Sequence, residues 1–190
     1  VVTWDQRSFG RTTNRAGAAG PATFAADLEA LLDHLDITSA HLVGQSMGGW
    51  TTLRFAIDHP ERVRSIVLAD TPGGIMTAEV RHDVEQLGAD ALAADDLSAW
   101  EHPAIGPTTS REQPTTAFLY RQINSVSAPR DPKIAARLFE VDYADQASKI
   151  EVPVLLIVGE EDWLFTPQAI RSAAEVLQNA RVLKISGSGH

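Results

Sequence analysis

The sequence predicts an α/β fold: a mostly parallel sheet with flanking helices and a helical insertion. Three features predict it. Short apolar runs at 40–44 (AHLVG), 65–69 (SIVLA) and 152–158 (VPVLLIV) are separated by longer segments, several of helical periodicity, the order that builds parallel sheets. The third run is apolar throughout, as in strands buried on both faces. Residues 71–149 hold no strand-like run and are rich in Pro, Ala and acidic residues, which reads as an inserted segment. The 190 residues, 44% hydrophobic and 22% charged, have the composition of a globular chain, long enough to bury roughly 70% of its unfolded surface.

Taken in order, residues 1–4 (VVTW) read as a short strand and 5–20 as a polar, Gly-rich loop. Thr23 caps a helix whose Phe24, Leu28, Leu31, Leu32 and Leu35 share one face of a ~3.6-residue period. Residues 40–44 are a strand. Residues 46–58 are a helix with Trp50, Leu53, Phe55, Ala56 and Ile57 as its apolar set, and His59-Pro60 stops it because proline resists continuation. Strand 65–69 follows, then the insertion, then strand 152–158. Thr166 and Pro167 open a helix in cap and first-turn positions, with Ile170, Ala173, Ala174 and Leu177 buried, and 181–185 (RVLKI) is the last strand. These boundaries divide the chain into a first core part (1–72), the helical insertion (73–149) and a second core part (150–190).

Charge and composition exclude several functions. A net charge of -9 repels phosphate backbones and anionic membranes, so neither nucleic acid nor a membrane is expected as a partner. No apolar run reaches the ~18 residues of a membrane span. The absence of cysteine removes thiolate metal sites, cysteine nucleophiles and disulfides, and agrees with a reducing cytoplasm. His41, His59, His82 and His102 show no metal-ligand spacing. No metal or cofactor is expected.

The chemistry-bearing pattern is Gly44-Gln45-Ser46-Met47-Gly48, a G-x-S-x-G placed between a strand and a helix. A turn this sharp strains the serine backbone and lifts its hydroxyl above the sheet, while Gly44 and Gly48 let neighbouring segments approach. The helix N-terminus aims N–H groups at charge developing beside Ser46. A serine nucleophile needs a base, and the base needs an orienting carboxylate. Asp162 follows the strand 152–158 and His190 follows the strand 181–185, both at strand ends where sites in open α/β sheets gather. Asp70 also follows a strand and is a second candidate for the acid. Glu160 and Glu161 read as solvated loop charges. A dinucleotide site fails because Ser46 stands where G-x-G-x-x-G needs glycine.

The segments VTWDQRSFGR, VGQSMGG, HPERVRSIVLAD, VPVLLIVGEED and SGSGH together resemble the α/β-hydrolases in motif and order. The resemblance implies Ser46 as nucleophile, His190 as general base and then acid, Asp162 as orienting acid, and the Met47 N–H as one oxyanion donor. It implies a serine-dependent hydrolase of an ester, thioester or lactone, working through a covalent acyl-enzyme on a small-molecule substrate. Alternatives on the same site are a C–C bond hydrolase, a cofactor-free perhydrolase or a non-catalytic ligand receptor. The insertion resembles the helical cap of such enzymes, in which Trp100, Phe118, Leu119, Tyr120, Phe139 and Tyr143 are candidates to line a pocket or fill the cap's own core. Asp5 and Arg7 read as a structural pair behind the site, and Ser8 departs from the family's glycine, so a changed loop backbone is expected there. Relatives also carry earlier strands, one supplying the second oxyanion donor, and a closing helix. The resemblance therefore implies a longer hydrolase with roughly 60 further residues at its front, and poor activity of these 190 residues alone.

Overall fold

A computed structural model of the chain describes residues 1–12, 19–93, 104–125 and 132–190. In chain order its elements are α1 (Pro21–His34), β1 (Ala40–Gln45), α2 (Gly48–Asp58), a 3-10 turn (Pro60–Arg62), β2 (Val63–Ala69), α3 (Ala78–Ala93), α4 (Pro107–Glu112), α5 (Pro114–Ser125), α6 (Pro132–Phe139), α7 (Ala144–Ala147), β3 (Val154–Gly159), α8 (Pro167–Val176) and β4 (Ala180–Ile185). The four strands form one parallel sheet in the order β1-β2-β3-β4. The α/β class with a parallel sheet and flanking helices is as the apolar runs require. No described helix is long and apolar enough to cross a membrane.

Register is what positions the site. Gln45 pairs with Ala69 and Ala69 with Ile157, so β1, β2 and β3 finish at nearly the same level. The backbone continues the ladder past the strands: Ser46 N–H donates to the Ala69 carbonyl at 2.9 Å, and Asp70 N–H to the Ile157 carbonyl at 2.8 Å.

The core lies on one face of the sheet. Ile66, Leu68, Leu156 and Val158 meet Trp50, Leu53 and Phe55 of α2 and Ile170 of α8, all essentially solvent-free. Each such side chain contributes about 1.5–3 kcal/mol relative to exposure. The opposite face differs from the expectation of cover on both sides. Val43 is 72% exposed, Leu183 49% and Ile185 45%, while Leu155 and Ile157 are half-buried.

Residues 1–4, expected as a strand, carry no regular structure and belong to no sheet. An extended segment becomes a strand only beside a partner, and among the described residues β1 is an edge whose sole neighbour is β2. The helix expected to start at Thr23 starts at Pro21 with Gly20 at its cap, because proline at the first position already has a helical φ and no N–H to satisfy. Its buried stripe is Phe24, Ala25, Leu28 and Leu32, whereas Leu35 lies past the last turn and is exposed.

Between β2 and β3 the described residues are helical or irregular, without a strand. The two ends of this segment are stapled together. Tyr143 N–H donates to the Gly74 carbonyl at 2.8 Å. Asp142 accepts from the Met76 and Ala144 N–H groups (3.3 and 3.0 Å) and from Arg81 (2.6 Å). Further on, Trp50 of α2 donates its indole N–H to the Leu138 carbonyl at 2.8 Å and meets Phe139 edge-on with ring centroids 5.9 Å apart. Tyr143 is buried beside them. Phe139 thus packs against Trp50 of α2 with Tyr143 buried nearby, Phe118, Leu119 and Tyr120 are partly exposed, and Trp100 lies outside the described residues.

The end of α1 generates a stability prediction. Ile37 N–H bonds the Leu32 carbonyl and Asp36 N–H the Asp33 carbonyl, the paired bonds of a Schellman stop. The left-handed residue of that stop is normally glycine, yet here it is exposed Asp36 at φ 53°. Asp36→Gly is expected to stabilise the fold by about 0.5–1 kcal/mol, read as a rise of roughly 1–4 °C in Tm by thermal melting.

Candidate active site

The loop between β1 and α2 is only two residues long. A Cβ on Gly44 would stand 2.5 Å from the Gly48 carbonyl oxygen and 2.5 Å from the Thr52 hydroxyl, so strand and helix pack against each other at a position open to glycine alone. The chain turns at Ser46 with φ 47°, a left-handed conformation costly for a side-chain-bearing residue. Gly48 has open space where a Cβ would stand, and the close approach falls instead at Gly49, against Thr71. The close approach expected at Gly48 falls one residue later because Gly48 is only the first residue of α2.

The structure brings Ser46, His190 and Asp162 together. His190 Nε2 lies 2.8 Å from Ser46 Oγ, and His190 Nδ1 lies 2.9 Å from Asp162 Oδ2. A carboxylate only accepts, so Nδ1–H donates to Asp162 and Nε2 is left to accept the Ser46 hydroxyl proton. Asp162 is buried, and its other oxygen accepts from the Leu164 and Phe165 N–H groups at 2.9 and 3.1 Å. The imidazole faces the buried Phe165 ring at 6.2 Å. Met47 is the cap residue of α2 with helical dihedrals, so its N–H belongs to the first turn, where no intrahelical carbonyl reaches.

Several residues at this edge have partners that no local sequence signal indicates. Gln45 donates from its amide to the His190 carbonyl at 3.3 Å. Glu161 is not a solvated charge: its carboxylate accepts from the Thr108 N–H at 2.8 Å and the Thr108 hydroxyl at 2.5 Å. No local signal points to that partner, 53 residues away in the chain. Glu160 pairs with Lys184, and that hydrogen bond lowers its pKa. Arg7 pairs with Asp27 of α1 rather than with Asp5, while Asp5 accepts from the Arg11 N–H at 3.1 Å. Ser8 holds φ 70°, so it keeps a left-handed backbone of the kind glycine favours. His41 bonds Ser65, His59 faces Glu29, His82 is exposed, and His102 lies outside the described residues. Among the described residues no three His, Asp or Glu side chains gather as metal ligands would.

A profile of the alpha/beta hydrolase fold matches residues 1–101. The 3-oxoadipate enol-lactonase 2 of Acinetobacter baylyi is 27% identical over 197 residues, covering 97% of this chain and 73% of its own length. A proline iminopeptidase of Lactobacillus helveticus is 28% identical over 193 residues, covering 88% of this chain and 65% of its own; the chain thus spans less than two thirds of that relative. Among solved structures, an N-acyl homoserine lactone degrading enzyme superposes with a TM-score of 0.74 at 26% identity, over 98% of this chain and 74% of that one.

Asp70, the second candidate acid, occupies a different position. It follows β2 at φ 51°, and its carboxylate accepts from the Gly159 N–H at 3.0 Å, while the imidazole bonds Asp162. Burial raises its pKa above 3.8, helped by the Asp162 charge and opposed by the Gly159 hydrogen bond and His190. A carboxyl with a raised folded-state pKa binds its proton more tightly in the folded chain. Ionising it as pH rises above 3.8 therefore lowers stability. Asp70→Asn keeps an acceptor for Gly159 and tolerates the left-handed φ, so its Tm advantage over the parent chain is expected to be larger at pH 7 than at pH 4 in paired thermal melts.

Proposed function

The chain belongs to the alpha/beta hydrolase fold family, and from that membership we propose that it is a serine hydrolase of carboxylic esters, with lactones as the favoured class. The observation that carries the reading is the unbroken relay from Ser46 through His190 to Asp162, at 2.8 and 2.9 Å. Lactones are favoured because two of the relatives described above are named for them, the enol-lactonase and the N-acyl homoserine lactone degrading enzyme.

In this reading Ser46 Oγ attacks the ester carbonyl carbon as its proton passes to His190 Nε2. Asp162, fixed by two backbone N–H groups, holds the imidazole in the productive tautomer and stabilises the cation that forms. The carbonyl oxygen becomes an oxyanion beside the Met47 N–H at the start of α2. Collapse breaks the bond to the leaving oxygen, which takes the proton from His190 and leaves an acyl-serine. For a lactone the released hydroxyl remains part of the acyl group. Water then adds to the acyl-serine with His190 as base, and Ser46 is regenerated. The strained φ at Ser46 keeps Oγ in place before substrate arrives, so little reorganisation is needed on attack.

A fluorophosphonate probe is expected to label Ser46 in the purified protein, located by peptide mass, and to leave Ser46→Ala unlabelled. Hydrolysis of p-nitrophenyl acetate and of a γ-lactone, followed by absorbance and by pH-stat, is expected to fall roughly 10,000-fold or more in Ser46→Ala and on that order in Asp162→Asn. An unlabelled Ser46, with both substrates untouched, overturns the reading. Ester turnover without lactone turnover overturns only the substrate class.

A further inference from the structure

We infer that Glu161 is a positioning residue, tying helix α4 of the insertion to the loop that carries His190; the inference rests on the serine-hydrolase reading. Glu161 touches three parts of the site at once. It is the chain neighbour of Asp162. Its N–H donates to the Ser188 carbonyl at 2.8 Å, two residues before His190. Its carboxylate takes both the N–H and the hydroxyl of Thr108 at the start of α4, at 2.8 and 2.5 Å. One residue therefore connects the acid loop, the histidine loop and the insertion.

The surroundings show that this contact is a fitted one. Gly106 and Gly189 lie backbone against backbone: a Cβ on Gly106 would be 2.8 Å from the Gly189 nitrogen, and a Cβ on Gly189 would be 2.9 Å from the Gly106 Cα. Thr109 adds a longer bond, 3.4 Å, from its hydroxyl to the Gly187 carbonyl. The segment 186–190 follows β4 without regular structure of its own, so ladder bonds do not fix the imidazole. The segment is held by Glu161 at Ser188, by Gln45 at His190, and by Gly106 and Thr109 at Gly189 and Gly187. The His190 side chain is left 8% exposed. With the Thr108 hydroxyl removed, the start of α4 is held to the histidine loop by the Thr108 N–H, Thr109 and the Gly106–Gly189 contact alone, and so less tightly. The hydrogen bonds from His190 to Ser46 and Asp162 then exist for a smaller fraction of the time, and a misplacement of about 1 Å costs up to about 100-fold in rate.

The test compares Thr108→Val, which removes the hydroxyl donor, with Thr108→Ser, which keeps it, and with Glu161→Met, which removes both acceptors of the Thr108 N–H and hydroxyl. Two readouts are taken: the second-order rate of fluorophosphonate labelling at Ser46, and the low-field proton resonance of the His190 Nδ1–H. Thr108→Val and Glu161→Met are expected to slow labelling about 10- to 100-fold and to broaden that resonance. Thr108→Ser is expected to restore both readouts. Labelling and resonance unchanged in Thr108→Val and Glu161→Met overturn the inference, as does a Thr108→Ser variant no better than Thr108→Val, which would assign the contact to packing alone. An unlabelled parent chain sinks the hydrolase reading instead, and the resonance still decides whether Thr108 holds the imidazole.

Discussion

The close approach of Gly44 to the Gly48 carbonyl and the Thr52 hydroxyl is the constraint on which the rest depends. With no side chain at Gly44, β1 passes into α2 through a two-residue turn, and the helix doubles back against the strand it has just left. That return path leaves Trp50, Leu53, Phe55 and Ala56 almost fully buried. Trp50 in turn supplies the indole N–H that seats Leu138 and the ring against which Phe139 and Phe165 pack. Fold stability and the placement of Ser46 thus have a common source, because any group that separated β1 from α2 would disturb the core and the turn together.

The second organising element is the parallel register. Parallel strands paired at matching levels send every following loop out of the same edge of the sheet. Ser46, Asp70 and the loop of Asp162 leave that edge from adjacent strands, and β4 delivers the segment ending in His190 beside them. Residues 144 positions apart meet at hydrogen-bond distance without a long lever arm, since each is anchored within a few residues of a strand end.

The strands β1, β2, β3 and β4 and the helices α1, α2 and α8 were legible in the sequence because hydrophobic period and turn residues are local signals. The meeting of Ser46, Asp162 and His190 was foreshadowed by where each falls relative to a strand. What failed to show was whatever depends on a distant partner. Residues 1–4 have strand composition, but pairing decides whether they are a strand. Arg7 was matched with its sequence neighbour Asp5, whereas the fold brings α1 and Asp27 to it. Glu161 read as a loop charge because Thr108 belongs to a segment whose helices carry only patchy periodicity. The expectation of a strand covered on both faces came from apolar composition alone, which cannot say which neighbours are present to do the covering.

Ser46 and Asp70 have nearly the same φ, 47° and 51°, at the exits of neighbouring strands, although neither is glycine. The shared geometry has a consequence for how such a scaffold changes over generations. A left-handed exit admits glycine and short polar side chains more readily than branched or bulky ones, so the permitted alphabet at these two positions is narrow and rich in groups able to donate, accept or attack. A substitution between such residues at a strand exit can change the hydrogen-bonding or reactive group while leaving the backbone conformation as it is. The sheet edge resembles a row of sockets, in which the chemistry is replaceable and the mounting is inherited.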